Sequence, residues 1–295
     1  MSKNLNNMRR ESNASDSELS ERDSLVGEVV WLQRNATEYF RRVEEILHKC
    51  LDRFHVSNKF YTSTKPGSSP AKSERYSLVQ RNGADTLKVS VLLLGENVIQ
   101  TEVAMKYPKI SGGIFRATAQ PEVQWKLQQL QDAGNYCVEA LRTVAKGNEF
   151  IQYMAKRKSW NLECGEPLCM IVESICSLIG KARSTLCIPR KRSLLELCNF
   201  QPTRCFNPSL PSDLVFSYYI SSSRLICAAY HMTGKANGNQ GLVVTQAECT
   251  LPSLVEILVL LQQALNTVQR LRHQLIMFHS HLPNLHGNND VPTRS

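Results

Sequence analysis

One spacing constrains this chain more than anything else in it. After Pro121, small and apolar residues recur at Val123, Leu127, Leu130, Gly134, Cys137, Leu141 and Val144. The steps alternate four and three, which puts them all on one face of a helix. Pro121 near the start and Gly147 just past the end match the usual asymmetry of helix termini, so the spacing predicts a helix over 121–147. Three other stretches carry the same alternation. The first ends at Phe54 and passes through Val26, Val29, Gln33, Ala36, Phe40, Val43, Leu47 and Cys50. Another passes through Leu168, Ile171, Ile175, Leu178, Ala182 and Leu186. The last passes through Leu254, Ile257, Leu261, Ala264, Val268, Leu271, Leu275 and Phe278. Seams of this length are made to pack lengthwise on other helices. A large side chain buried at such a position contributes roughly 1.5–3 kcal/mol before entropy. The expected helical core is Phe40, Val43, Leu47, Val123, Leu127, Leu130, Leu141, Leu254, Leu261, Val268 and Leu275.

Between the helices the texture changes. Residues 62–74 form a Pro/Gly/Ser loop, and strand-like runs follow at 76–81, 86–94, 98–106 and 114–119. Gly95-Glu96-Asn97 is short enough to close a hairpin. Strands return at 213–220, 225–231 and 242–248, the first two joined by Ser221-Ser222-Ser223. Residues 148–163 read as a short amphipathic helix and a connector. The Pro-punctuated stretch 188–211 reads as irregular, with a turn of helix at 193–197. Runs of strands separated by runs of helices argue for α+β rather than a wound parallel sheet. The expected architecture is an antiparallel four-helix bundle domain plus one antiparallel β-sheet domain, both discontinuous in sequence. The bundle takes 19–54, 121–187 and 251–281, and the β domain takes 55–120 and 188–250. Residues 1–18 and 282–295 are polar, without periodicity, and are expected to be disordered.

The chain carries 35 basic and 26 acidic residues among 295, a formal charge of +9 that favours acidic partners. The basic residues are dispersed, with Lys156-Arg157-Lys158 and Arg190-Lys191-Arg192 the tightest groups, which read as solvated loops. None of the ten cysteines forms a Cys-x-x-Cys pair, and Cys50, Cys137, Cys176 and Cys227 fall on apolar faces. The polar N-terminus has no secretory signal, so a reducing compartment with free thiols is expected. No apolar run approaches the roughly 18 residues of a membrane span, which leaves peripheral association as the route to a membrane.

The common catalytic signatures are absent from the sequence. Gly180-Lys181 lacks the preceding glycine of a phosphate loop, Gly112-Gly113 does not extend to a dinucleotide fingerprint, and neither a zinc-protease nor a serine-hydrolase motif occurs. His279, His281 and His286 cluster near the C-terminus, with nothing nearby to orient their rings. No catalytic residue, cofactor or metal is expected. A DNA-binding leucine zipper needs a basic helix directly before its seam. Asp16, Glu18, Glu21 and Asp23 occupy that place here and would repel phosphates, so no nucleic acid is expected.

At ~100° per residue, Trp125 falls about 200° from Val123, with Gln129, Asp132 and Tyr136 along the same back stripe. Trp31 stands in the same relation to Val29. Two explanations remain open. Either the helices are covered on a second side by the chain's own elements, or these residues anchor a partner.

The residues Gln124 to Asp132, QWKLQQLQD, resemble the helix motif of the Rogdi family, the Rogdi leucine-zipper-like proteins. A second match runs from Phe206 to Tyr219, FNPSLPSDLVFSYY, and on through Arg224-Leu225 to Tyr230. Glu248-Cys249 before Pro252 gives a weaker third. The order of elements agrees from about 22 to 280, while the loop at 233–240 is shorter than the family pattern and 146–163 departs from it. The resemblance implies a non-catalytic adaptor subunit of a RAVE, rabconnectin-3-type complex that promotes assembly of the vacuolar proton-pumping ATPase. It implies as partners a large WD-repeat rabconnectin-type subunit and vacuolar ATPase subunits. It also implies a cytoplasmic protein peripheral to acidic or synaptic vesicles and, in some cells, at the nuclear envelope. Because packing within one chain accounts for the seams, the protein is expected to be monomeric outside the complex. The rival expectation is a self-associating coiled-coil structural protein with a neuronal or nuclear-envelope role.

Overall fold

The computed structural model describes residues 34–54, 73–81, 86–119, 124–156, 165–234 and 240–280, together with Gly27 and Trp31, both helical. Helix α1 covers residues 34–54. Strands β1 (Glu74–Leu78), β2 (Leu87–Leu94), β3 (Asn97–Lys106), β4 (Ile114–Ala119) and β5 (Trp125–Lys126) follow. Helices α2 (Gln128–Lys156), α3 (Gly165–Cys187) and the short α4 (Leu194–Asn199) come next, with a 3-10 turn at Gln201–Arg204. Strands β6 (Phe206–Asn207), β7 (Leu214–Ser221), β8 (Arg224–Gly234) and β9 (Gln240–Thr250) lead to helix α5 (Pro252–Ser280). Long helices with antiparallel sheets make the fold α+β, as the pattern of runs implied. The expected arm at 1–18 and tail at 282–295 lie outside the described residues.

The strands form two antiparallel sheets rather than the expected one. The larger has the order β1-β2-β3-β4-β6, with β5 also on β3, and the smaller has the order β7-β8-β9. Among the described residues one backbone bridge links them, where the N–H and C=O groups of Val79 and Glu248 bond reciprocally at 3.0 and 2.9 Å. Gly95, at φ 58, opens the two-residue turn between β2 and β3, a conformation that glycine adopts without a Cβ penalty. Opposite Leu92 and Leu93 the register slips, leaving Ile99 as the extra residue of a bulge on β3. The slip changes the phase of the strand. Val98 points inward, and so do Thr101, Val103 and Met105 beyond it. Strand β7 is buried on both faces, which is why its run LVFSYYI lacks alternation.

By compactness the chain divides into two units. Of the described residues, one holds those up to 45, 141–156, 165–176 and 265–280, and the other holds those from 46 to 140 and from 177 to 264, so each long helix is divided between them. In the first, Ala36, Phe40, Val43, Val144, Val172, Ile175, Val268, Leu271 and Leu275 are buried. There α2 does not stop at Gly147, as the sequence suggested, but runs on to Lys156. Gly147 serves packing rather than termination. A Cβ there would lie 2.5 Å from Phe40 Cε2 and 3.2 Å from Ile171 Cγ2. Arg272 of α5 bonds Glu173 of α3 at 3.2 Å.

The second unit carries both sheets. Leu47, Leu127, Leu130, Leu254 and Leu261 are buried in it. The start of α2 departs from the reading at Pro121. The helix begins at Gln128, because Trp125 and Lys126 first pair with Val98 and Asn97 as a strand. Leu127 is therefore a buried residue before the helix, and Val123 lies outside the described residues. Leu141, in the first unit, is half-buried rather than fully packed.

Candidate interaction surface

The expected back stripe of α2 is not one surface. Trp125 sits on β5, so helical angles do not apply to it. It is 4% exposed, its ring edge-on to Phe200 at 4.7 Å and to Tyr218 at 5.3 Å. Gln129, also buried, uses its whole amide. Its Nε2 donates to the carbonyls of Thr185 at 2.8 Å and Ile188 at 3.0 Å, and its Oε1 accepts from the Ile220 N–H at 3.0 Å. One side chain thus ties the start of α2 to the end of α3 and to β7, and it satisfies the Thr185 carbonyl in the last turn of α3, which has no partner within the helix, and the Ile188 carbonyl just beyond it. Asp132 takes a bond from Gln128 Nε2 at 2.8 Å and another from Arg190 Nη1 at 3.2 Å. Tyr136 is half-buried, while Trp31 stands 54% exposed. The structure brings Trp125, Gln129 and Asp132 together around the segment 185–200, and the chain itself covers the first two.

The second stretch of the resemblance also works inward. Phe206 packs on Phe216 at 5.7 Å between centroids. Tyr218 is fully buried, its hydroxyl sharing a 2.5 Å hydrogen bond with Thr101, so the phenol joins β7 to β3. Tyr107 Oη donates to Asp213 Oδ1 at 2.5 Å and Lys109 Nζ donates to Oδ2 at 2.6 Å. His231 Nε2 lies 3.3 Å from the same Oδ2 without hydrogen-bond geometry. Burial alone would raise the Asp213 pKa, but the bonds from Lys109 and Tyr107 outweigh it and hold the carboxyl at about 2. Burial, aided by Asp213, pushes the Tyr107 phenol up to about 12.

The thiols move the same way. Burial pushes Cys50 and Cys227 to about 12 and raises Cys137 well above its ordinary value too. Groups displaced this far from neutrality keep one protonation state near pH 7. That suits structural anchors rather than acid–base or nucleophilic chemistry. Among the described residues, no three His, Cys, Asp or Glu side chains gather where they could hold a metal, and no helix is long and apolar enough to cross a membrane.

Beside the Trp125–Gln129 anchor lies a cleft of about 210 Å³ lined by Lys126, Gln128, Arg190, Lys191, Arg192 and Glu196, among others. The basic triplet, which read as a solvated loop, is held by specific neighbours. Arg190 pairs with Asp132, Lys191 Nζ lies 5.5 Å above the Tyr219 ring, and the Arg192 guanidinium lies 4.1 Å above Phe200. Cation–aromatic contacts of this kind fix a charge while leaving it open to solvent. Glu196 is partly occupied, since it closes a capping box with Ser193 at the start of α4. The cleft therefore presents net positive charge at defined positions, which suits a carboxylate or other acidic group on a partner. Sequence reasoning noticed the triplet but missed its supports, because Phe200 and Tyr219 are separated from it along the chain. It also missed β5 and the Thr101–Tyr218 bond. A tyrosine inside an apolar strand run was the available sign, since a buried phenol seeks a partner.

Comparison with known proteins agrees with the resemblance. The family model described as Rogdi leucine zipper containing protein matches residues 28–241. The chain is 40% identical over 262 residues to the protein rogdi homolog of Caenorhabditis elegans, covering 87% of this chain and 88% of that protein. It is 27% identical over 292 residues to the protein rogdi homolog of Mus musculus, covering 89% and 95%. To protein rogdi of Drosophila melanogaster it is 25% identical over 264 residues, covering 89% and 91%. These names carry no catalytic activity. Matched across its helices and its sheets, the chain belongs to the Rogdi family.

Proposed function

We propose that this protein is a non-catalytic adaptor subunit of a RAVE, rabconnectin-3-type complex that promotes assembly of the vacuolar proton-pumping ATPase, and so regulates acidification of organelles and synaptic vesicles. Family membership supports the assignment to that complex. The observation that carries the adaptor reading is the use made of the motif residues. Trp125, Gln129, Asp213 and Tyr218 hold the interior together, while the tethered cations of the adjoining cleft face outward. We assign that cleft to an acidic segment of a partner.

Affinity purification of the tagged full chain from cells tests both statements. Pump subunits and a large WD-repeat rabconnectin-type protein should co-purify under mild conditions, and their absence would overturn the complex assignment. The double substitution Lys191→Glu with Arg192→Glu should weaken capture of at least one of these partners about tenfold or more without unfolding the chain. Undiminished capture would remove the cleft from the interface. Turnover by the purified protein, abolished by one point substitution, would end the adaptor reading.

A further inference from the structure

Strand β9 presents an edge that nothing among the described residues covers between Gln240 and Gln246. Its other edge is fully paired, with Leu242 opposite Met232, Val243 opposite His231 and Val244 opposite Tyr230, and the register never slips. Two bonds show which backbone groups face out. Glu248 spends its N–H and C=O on Val79, away from β8. Met232, the partner of Leu242, sends its N–H to Asp213 on the far side of β8, away from β9. Backbone polar groups alternate sides along a strand, so Leu242 and Val244, like Glu248, direct both N–H and C=O outward.

The side chains along this edge are also unusual for an open strand. Leu242, Val243 and Val244 are 47%, 50% and 45% exposed. From Gly241 to Ala247 the sequence GLVVTQA has no charged residue and no proline. Open edges normally carry such residues, which discourage pairing with another chain.

We propose that this edge is a docking site for a second copy of the same chain, two β9 strands pairing antiparallel about a two-fold axis through Val243. The pattern chooses the occupant and the register. A two-fold at Val243 sets Leu242 against Val244 of the copy and Val244 against Leu242. Both are outward-bonding positions, so each pair exchanges two backbone hydrogen bonds. Val243 meets its own counterpart on one face, while Leu242 and Val244 cover each other on the other face. A shift of the axis to Val244 sets Leu242 against Gln246 and leaves that leucine without an apolar partner. Because the strand carries no charge, nothing repels its own copy. The contact is small, so the dimer is weak, with Kd on the order of tens of micromolar. It uses no helical seam, and it does not rest on the adaptor reading.

The test is sedimentation of the full chain from about 1 to about 100 µM, the range that brackets such a Kd. The sedimenting species should pass from monomer towards dimer across that range. Val244→Pro removes an N–H that faces away from β8 and so spares the β8–β9 ladder. Val243→Lys places like charges face to face at the axis. Each should weaken association about tenfold or more while leaving the thermal midpoint of the monomer unchanged. Amide exchange on the unmodified protein supplies a second reading that needs no variant. Protection of the Leu242 and Val244 amides should rise with concentration, whereas the Val243 amide, already bonded to β8, should not change. A monomer throughout the range overturns the proposal. So does a dimer that survives both variants, or a monomer whose edge takes up an extended peptide of another sequence instead.

Discussion

The helices and the sheets of this molecule are held together by different means. Along α1, α2, α3 and α5 the buried positions are almost all apolar, and Phe40, Leu47, Val144, Leu168, Ile175 and Leu261 are fully enclosed. Around the sheets, apolar packing is joined by a few buried polar contacts between residues far apart in sequence. Gln129 reaches residues 56, 59 and 91 positions away, and Thr101 meets Tyr218 across 117. The lesson is one of tolerance. A patterned apolar stripe accepts substitutes of similar volume. A buried hydrogen-bond hub does not, because each partner left alone keeps its desolvation cost.

The sharpest way to break this comparison is to place a charge in a helical stripe. Leu47→Asp should abolish the cooperative unfolding transition, since an unpaired carboxylate at a fully buried site costs several kcal/mol. Leu47→Met should cost less than about 1.5 kcal/mol, and circular dichroism melts would show the contrast. A stable dimer that this aspartate merely dissociates, leaving a folded monomer, would instead favour the coiled-coil rival.

The next effect lies at the sheets. Gln129→Leu keeps the volume but strands two carbonyls and one N–H, and should cost roughly 3 kcal/mol in urea unfolding. If it cost no more than Leu47→Met, the proposed asymmetry between helices and sheets would be gone. Thr101→Val should cost about 1–2 kcal/mol by leaving the buried Tyr218 hydroxyl only the weak Cys227 thiol as a partner. Adding Tyr218→Phe should recover part of that loss, a coupling that a double-mutant cycle measures. Gly147→Ala gains helix propensity but drives a methyl into Phe40, for a net loss of about 1 kcal/mol. A gain of stability there would mean that Phe40 yields freely.

The smallest effect is one of pH. The Asp213 carboxyl is held at about 2 in the folded protein, below its ordinary value of 3.8. A depressed carboxylate contributes stability that is present above the unfolded value and lost as pH falls through the folded one. The window is therefore about pH 4 down to 2, and the contribution is on the order of 1 kcal/mol once solvent screening is allowed for. Asp213→Asn should flatten that part of the stability–pH curve. An unchanged acid limb would show that Lys109 and Tyr107 hold the carboxyl no better than water does.

Much of the fold was legible in local pattern. The strand expected at 114–119 is β4, the helix at 167–186 is α3 with one or two residues more at each end, and the turn of helix at 193–197 begins α4. The errors share one cause. Leu127 extended the helical seam backwards, and Trp125 its back stripe, because the period of β5, two residues long, is too short to register against them. Gly147 looked like a stop because a glycine compelled by a phenyl ring on another helix is identical, in sequence, to one that ends a helix. The single expected sheet became two because register and partner choice between distant strands leave little local trace.

The sequence alone determined where helices and strands form and which face of each is apolar, because hydrophobic period depends only on neighbours a few residues apart. It also carried family membership, through motifs whose residues fill the interior. Only the tertiary structure decided that the Gln129 amide would bind three elements and that Trp125 would lie under Phe200 and Tyr218. Only it showed that aromatic rings would pin the basic triplet at a cleft, and that the Val79–Glu248 bridge would leave the Leu242–Val244 edge of β9 open. Each of these depends on which distant groups meet once the chain has closed its loops, and hydrogen bonds and strand edges are settled by those meetings rather than by local spacing.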